Sequence, residues 1–197
     1  VQILTNKETF FFREEHHFEA LNSQVLPALL SGDRPRRRLR VWSAGCATGE
    51  EPYSLAITLL EYRARHGFFE AEIVATDIDE ATLQTARQGC YGSRSLRLVP
   101  DAARQRYFHS EGRADRVGEQ RHCVLPAVAS LVTFRVHNLA AEHHPADLAD
   151  FDLVFCRNVS IYFHPAARER LNARLATSLR EGGYLFVASA ETIGHNQ

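Results

Sequence analysis

Apolar residues recur at helical spacing from residue 8 to about residue 30, at Phe11, Phe12, Phe18, Leu21, Val25, Leu26 and Leu29. Ser31-Gly32-Asp33 and Pro35 close that predicted helix. Residues 39–44 then read as a short strand running into the small-residue turn Gly45-Cys46-Ala47-Thr48-Gly49. Pro52 falls where a first-turn proline is tolerated, and Tyr53, Leu55, Ala56, Leu59, Leu60 and Tyr62 carry a helix onward. Residues 72–76 form a second predicted strand that ends at Asp77. Asp79 is placed to cap a helix reaching Arg87.

From Gly89 to about Ser130 the alternation lapses. A short helical piece at 101–108 is followed by a polar stretch and the apolar run 123–128. About forty residues is too long for a bare connection, so an inserted subdomain with its own short strands is expected at 89–130. Strands resume at 131–136 and 151–156, a helix at 166–179 is ended by Gly182-Gly183, and a fifth strand is expected at 184–188. Strands alternating with helices of this length indicate an α/β, doubly wound, mostly parallel sheet. Such sheets bind ligands beyond the carboxyl ends of their strands, which directs attention to the tips at Gly45, Asp77, Asn138, Arg157 and Glu191. The expected division is an N-terminal helix and linker at 1–38, packing over the site, and one α/β domain at 39–197.

With 45% hydrophobic and 24% charged residues among 197, the chain has ordinary globular usage. Lys and Arg number 23 against 24 Asp and Glu, so no global field recruits nucleic acid or an anionic membrane. The one basic run, Arg34, Arg36, Arg37, Arg38 and Arg40, reads as a solvated connector. No apolar run has the length needed to cross a bilayer, and no signal-peptide pattern opens the chain. There is no Met anywhere, which suggests a piece of a longer protein. Cys46, Cys90, Cys123 and Cys156 lie far apart without a Cys-x-x-Cys pair, so reduced thiols in a cytoplasmic setting are expected.

The turn at 45–49 lets a ligand approach the backbone closely, yet it is neither Gly-x-Gly-x-x-Gly nor a P-loop. Glu50 and Glu51 would repel a phosphate and suit a ligand with a positive centre. One of them complements the helix dipole, and Glu51 is the candidate contact. Asp77 at a strand tip can accept hydrogen bonds from ribose hydroxyls. Arg157, Asn158 and Tyr162 leave a buried strand together, and polar groups so placed need partners. Phe10, Phe11 and Phe12 cannot all face one side of a helix, and Arg13 amid them requires an anionic partner, whether a structural carboxylate or a substrate. His16, His17, His143 and His144 make no recognisable metal set, and Cys156 reads as a small buried residue.

Phe11-Phe12-Arg13-Glu14 with His16-His17-Phe18, Arg40-Val41-Trp42-Ser43, and Thr48-Gly49-Glu50-Glu51-Pro52-Tyr53-Ser54 resemble chemotaxis-receptor glutamate O-methyltransferases of the CheR type. Thr76-Asp77-Ile78-Asp79, Arg106-Tyr107-Phe108, Asn138-Leu139, Phe155-Cys156-Arg157-Asn158-Val159 and Ile161-Tyr162-Phe163 continue the resemblance in order along nearly the whole chain. It implies a class I methyltransferase sheet with a small inserted β-subdomain, S-adenosyl-L-methionine as cofactor and S-adenosyl-L-homocysteine as product. Thr9, Arg13, Gly45, Glu51, Asp77, Asn138, Leu139, Arg157, Asn158 and Tyr162 are the implied cofactor-site positions. Arg13 and Tyr162 are those nearest the transferred methyl. The family's usual asparagine six residues before the arginine stands here as Lys7. A preceding helical domain and the final strands of the sheet are expected to lie outside this sequence.

The implied reaction is methylation of glutamate carboxylates on a methyl-accepting chemoreceptor-like partner, by a cytoplasmic monomer without metal, nucleic acid or membrane insertion. Two rivals stand beside it: a non-catalytic cofactor-binding signalling module, and a methyltransferase with another substrate. A nicotinamide oxidoreductase is disfavoured by the missing glycine fingerprint.

Overall fold

The computed structural model describes residues 8–31, 38–111, 120–189 and 191. Helix α1 (Glu15–Ala20) continues through a π-turn at Leu21–Val25 into α2 (Leu26–Ser31). Then come β1 (Arg38–Ala44), α3 (Glu50–His66), β2 (Glu70–Asp77), α4 (Glu80–Gln88) and β3 (Cys90–Tyr91). Next are α5 (Asp101–Tyr107), β4 (Phe108–Ser110), β5 (His122–Val124), α6 (Pro126–Ala129) and β6 (Val132–Val136). The chain ends through β7 (Phe151–Cys156), a 3-10 turn at Ser160–Tyr162, α7 (Pro165–Thr177) and β8 (Leu179–Val187).

The main sheet has the order β6-β2-β1-β7-β8, and every neighbouring pair is parallel. The chain builds outward from β1 through β2 to β6, then returns to the other side of β1 to lay down β7. The switch point therefore falls between β1 and β7, where an open α/β sheet presents its ligand crevice. Alternation along the strands serves two cores. Leu39, Val41, Ile73, Leu153 and Phe155 join the cluster built with α1, α2 and α3. Trp42, Ala44, Val74, Val154 and Cys156 join the cluster that includes Leu171 and Leu175 of α7. β7 is buried at every position: its Leu153-Val154-Phe155 run is covered on both faces, and the buried Asp152 carboxylate accepts from Arg40 N and from Arg180. Asp79 caps α4 by accepting from the backbone of Ala81 and Thr82, as expected.

Between α4 and β6, a three-stranded antiparallel sheet of order β3-β5-β4 forms. Cys90 and Cys123 oppose each other on β3 and β5 and are joined by a disulfide. The expectation of four reduced thiols is corrected for this pair. Their 33-residue separation conceals a cross-strand neighbour that only sheet pairing creates. Cys46 and Cys156 are free and buried.

Two boundaries also differ from expectation. The first helix begins at Glu15, not near residue 8, because the three phenylalanines pack in three directions. Phe11 is fully buried against Tyr91 and Phe108, Phe12 meets Phe18, and Phe10 lies beneath the guanidinium of Arg97. No helical face can supply all three, so the chain turns with left-handed φ at Phe12 (57°) and Glu14 (56°). Gly182 and Gly183 lie within β8 and do not end α7, which stops at Thr177. A register shift opposite Phe151–Leu153 accommodates them. Arg38 and Arg40 of the basic run pair with Glu72, while Arg34, Arg36, Arg37 and Lys7 lie outside the described residues.

Candidate functional site

The segment before α1 is pinned to the loop after β3 and to α3. Phe11 N donates to the carbonyl of Ser95 at 3.0 Å, and Phe12 N to Ser54 Oγ at 2.9 Å. A non-glycine residue in the left-handed region costs about 1–2 kcal/mol, so two within three positions need such anchors. Arg13 is thereby presented from a strained turn. Among the described residues its guanidinium donates to the carbonyl of Glu8 at 2.6 Å and pairs with no carboxylate, so of the two anionic partners expected for it the structural carboxylate is not found there. Thr9 is half-buried in the same segment.

The loop after β1 is fixed by Gly45 N and Cys46 N, which donate to the carbonyl of Thr76 at 2.8 and 2.9 Å. Gly45 has φ 83°, and a Cβ there would run into Val159 Cγ2, so glycine is required by conformation and by packing against the β7 tip. At Gly49 (φ 96°) a Cβ would lie 2.9 Å from both Ala86 Cβ and the Tyr91 hydroxyl. Asp77 ties the loop after β1 to the turn that follows β2. Its Oδ2 accepts from Ala47 N at 2.9 Å and its Oδ1 from Asp79 N at 3.0 Å. Its carbonyl accepts from His137 N, which ties β2 to the tip of β6. There Asn138 Oδ1 accepts from Ala140 N at 2.9 Å. Leu139 is buried, with its carbonyl held by Arg174.

The two glutamates that open α3 diverge. Glu50 is buried, accepting from Thr48 Oγ1 at 2.6 Å and Ser95 Oγ at 3.1 Å, which makes it an internal tie. Glu51 Oε1 accepts from Ser43 Oγ at 2.7 Å, and its Oε2 accepts from Arg157 at 3.2 Å. Burial raises the Glu51 carboxyl, and the Arg157 charge opposes that rise without cancelling it. Arg157 is itself almost wholly enclosed. It donates to the carbonyl of Arg13, lies 3.5 Å from Glu14 Oε2, and sits over the Phe18 ring. Burial works to raise the Glu14 carboxyl, but Arg157, Asn158 and His17 together bring it below the ordinary value. Sequence reading passed over Glu14; its place beside Arg13 in the motif was the available signal.

The β7 tip continues through Asn158, which takes φ 58° and whose Nδ2 reaches Glu14 at 3.4 Å. The 3-10 turn that follows carries Tyr162, 46% exposed. Thus Arg13, Glu51, Arg157 and Asn158 join through Glu14 in one network, Gly45 packs against Val159 of the same tip, and Asp77 is tied by the backbone to the β1 loop and to the β6 tip that carries Asn138. Thr9 and Tyr162 stand on segments that flank this network.

The charges nearest the loop after β1 are negative. The Cys46 thiol is pushed up first by burial and then by the charges of Asp77 and Glu51. A group carrying positive charge therefore fits these residues, and an added phosphate does not. Ile78, beside Asp77, exposes 65% of its surface and offers an apolar face at the same edge. Glu14, His16 and His17 place one ligand atom each within 4.8 Å of one another. Glu14 there already neutralises Arg157, and His17 is held down to about 4 by burial and by Arg157. Among the described residues no helix is long and apolar enough to cross a membrane.

Residues 7–197 match the family described as "CheR methyltransferase, SAM binding domain". The chain is 38% identical over 190 residues to a probable chemotaxis protein methyltransferase of Rhizobium etli, covering 96% of this chain and 69% of that protein. It is 38% identical over 199 residues to chemotaxis protein methyltransferase 1 of Pseudomonas aeruginosa, covering 99% and 69%. Among solved structures it is similar to PKMT2 from Rickettsia typhi in complex with AdoHcy, with a TM-score of 0.51 and 11% identity. That match covers 91% of this chain and 26% of the other, and it speaks for the fold alone.

Proposed function

The chain belongs to the CheR methyltransferase family, and on that premise we propose that it transfers methyl groups from S-adenosyl-L-methionine to glutamate side chains of a chemoreceptor-like protein. The observation that carries the reading is the buried network in which Arg157 joins Glu51, Glu14 and the backbone of Arg13. It fixes an acidic crevice and a potential anion-binding arginine side by side at the switch point.

When bound, S-adenosyl-L-methionine supplies an electrophilic methyl on a sulfonium and departs as S-adenosyl-L-homocysteine. In this reading Asp77 accepts from its ribose hydroxyls, Ile78 covers its base, and Glu51 complements its positive charge. Thr9, Gly45, Asn138, Leu139, Arg157 and Asn158 complete the enclosure. Arg13 and Tyr162 orient the acceptor carboxylate. A glutamate titrates near ~4.3, so the nucleophile is already ionised at neutral pH and no general base is required. The work left to the protein is alignment and partial desolvation. The thiols of Cys46 and Cys156 are both pushed up by burial, which takes them out of any nucleophilic role.

The reading extends to the organisation of the chain: residues 1–38 pack over the cofactor, 39–197 form the methyltransferase domain, and 89–130 form an inserted subdomain. It also places the protein in the cytoplasm as a monomer that acts on a receptor without binding nucleic acid or inserting into membrane.

Mass spectrometry of candidate receptors, incubated with labelled cofactor and full-length protein in chelator, tests the proposal. Label in glutamyl methyl esters supports it. Cofactor binding with no label on any receptor favours the non-catalytic module, and label on another side chain or a small molecule assigns a different substrate.

A further inference from the structure

Two separate anchors hold the tip of β7. Arg157 is fixed by its side chain, through Glu51, Glu14 and the carbonyl of Arg13. The turn beyond it is fixed through its backbone by one carboxylate, that of Glu191, which is 5% exposed. Glu191 Oε2 accepts from Asn158 N and from Ala188 N, each at 3.0 Å, and Oε1 accepts from Ile161 N at 3.2 Å. Among the described residues no cation pairs with this carboxylate. Its own N donates to the carbonyl of Ala188 at 2.8 Å, which docks the residue on the end of β8.

The turn needs such an anchor. Asn158 is a non-glycine residue at φ 58°, a conformation that persists only where surroundings enforce it. The backbone bonds within the 3-10 turn are short-range, from Tyr162 N to the carbonyl of Val159 and from Phe163 N to that of Ser160. Hydrogen bonds to a carboxylate are roughly twice as strong as neutral ones, so Glu191 supplies the strongest restraint on the path from Asn158 to Ile161. On the opposite side, Val159 abuts Gly45, which leaves the turn no room to shift toward the β1 loop.

We propose that Glu191 is a positioning residue for methyl transfer: by gripping the amides of Asn158 and Ile161 it sets where Tyr162 stands. This rests on the function proposed above. Because Arg157 is anchored independently and the Asn158 side chain is held by Glu14, loosening Glu191 should disturb the acceptor side of the crevice more than the cofactor side.

The test uses Glu191→Gln in the full-length protein, where one acceptor oxygen becomes a donor that faces an amide. Turnover at saturating cofactor and receptor should fall by about tenfold or more, while S-adenosyl-L-homocysteine affinity changes by less than about threefold. In a double-mutant cycle with Tyr162→Phe the losses should be strongly non-additive, since both act through one phenol. Glu191→Asp keeps the charge but withdraws it by one methylene, and should give a smaller loss of the same kind; it also carries the test if the glutamine variant does not fold. Unchanged turnover, additive losses, or turnover and affinity falling in parallel would each overturn the inference. A wild-type protein that binds the product but methylates no receptor overturns the functional reading itself, and is told apart by its wild-type failure.

Discussion

Arg157 donates to Glu51 Oε2 at 3.2 Å from a side chain that is only 2% exposed. The pair sets the charge of the crevice, because Arg157 is what resists the upward push of burial on the Glu51 carboxyl. Arg157→Met leaves two carboxylates, Glu51 and Glu14, without their shared cation. Breaking a buried pair in this way costs about 3–5 kcal/mol, which urea unfolding would read directly. The variant should also lose S-adenosyl-L-homocysteine affinity at a higher pH than wild type, since Glu51 then protonates nearer neutrality. An unfolding midpoint equal to wild type would show that the network is incidental.

Asp77 carries two loads, and the structure lets them be separated. Its carboxylate accepts from Ala47 and Asp79 while standing at the tip where a ribose is proposed. Asp77→Ala should weaken product binding by about 1–3 kcal/mol through the lost acceptor. Asp77→Asn keeps one acceptor oxygen and turns the other into a donor facing a backbone N–H, so its melting temperature should fall and read the loss to the loop, while calorimetry reads the loss to the ligand. Full affinity in both variants would confine Asp77 to holding the loop.

How much of this was legible beforehand depends on the range of the interactions. The apolar stretch Leu153–Cys156 of β7, the Asp79 cap and the helix after Gly49 are local consequences of side-chain type and period, and they fall where the pattern puts them. The segment at 8–14 misleads because its apolar spacing also satisfies a turn whose phenylalanines bury separately. The Cys90–Cys123 bridge, the Glu14 contact and the Glu191 grip span 33, about 140 and about 30 residues, distances that only the assembled sheet closes. The candidate set of ten is likewise uneven. Arg157 is buried at 2% exposure and Leu139 belongs to the core cluster, while Tyr162 stands 46% exposed, because a motif names positions without saying how deeply each is packed.

Acid should destabilise the fold through its histidines. His17 and His144 are each held down to about 4, by burial first and then by neighbouring cations and imidazoles, against 6.5 for an unperturbed group. His144 Nδ1 lies 2.8 Å from His137 Nε2, a pairing in which one nitrogen must stay unprotonated to accept. Between pH 6.5 and about 4 the unfolded chain binds more protons than the folded one, so stability falls as pH falls through that window. Thermal melts at pH 7.5 and at about 5.5 should differ, the acidic sample melting lower. His144→Asn should narrow the difference; a melting temperature flat across this range would refute the assignment.

The sharpest division in the proposed mechanism is between holding the cofactor and aiming the acceptor. Tyr162 stands 46% exposed on its turn, and the guanidinium of Arg13, bonded to the carbonyl of Glu8, has no carboxylate partner among the described residues. If these two groups orient an anionic glutamate, their loss should fall on the transfer step. Tyr162→Phe keeps the ring and deletes one hydroxyl. Turnover at saturating cofactor should drop by about tenfold or more, because a misaligned carboxylate forfeits the proximity advantage. Arg13→Lys preserves charge but not the planar fork, so two-point contact with a carboxylate is lost and turnover should fall again. Product affinity should move far less in both. Single-turnover methylation and calorimetry on the full-length protein separate the two effects. Equal loss of binding and turnover would recast the pair as cofactor clamps, and wild-type turnover in both variants would remove them from the mechanism.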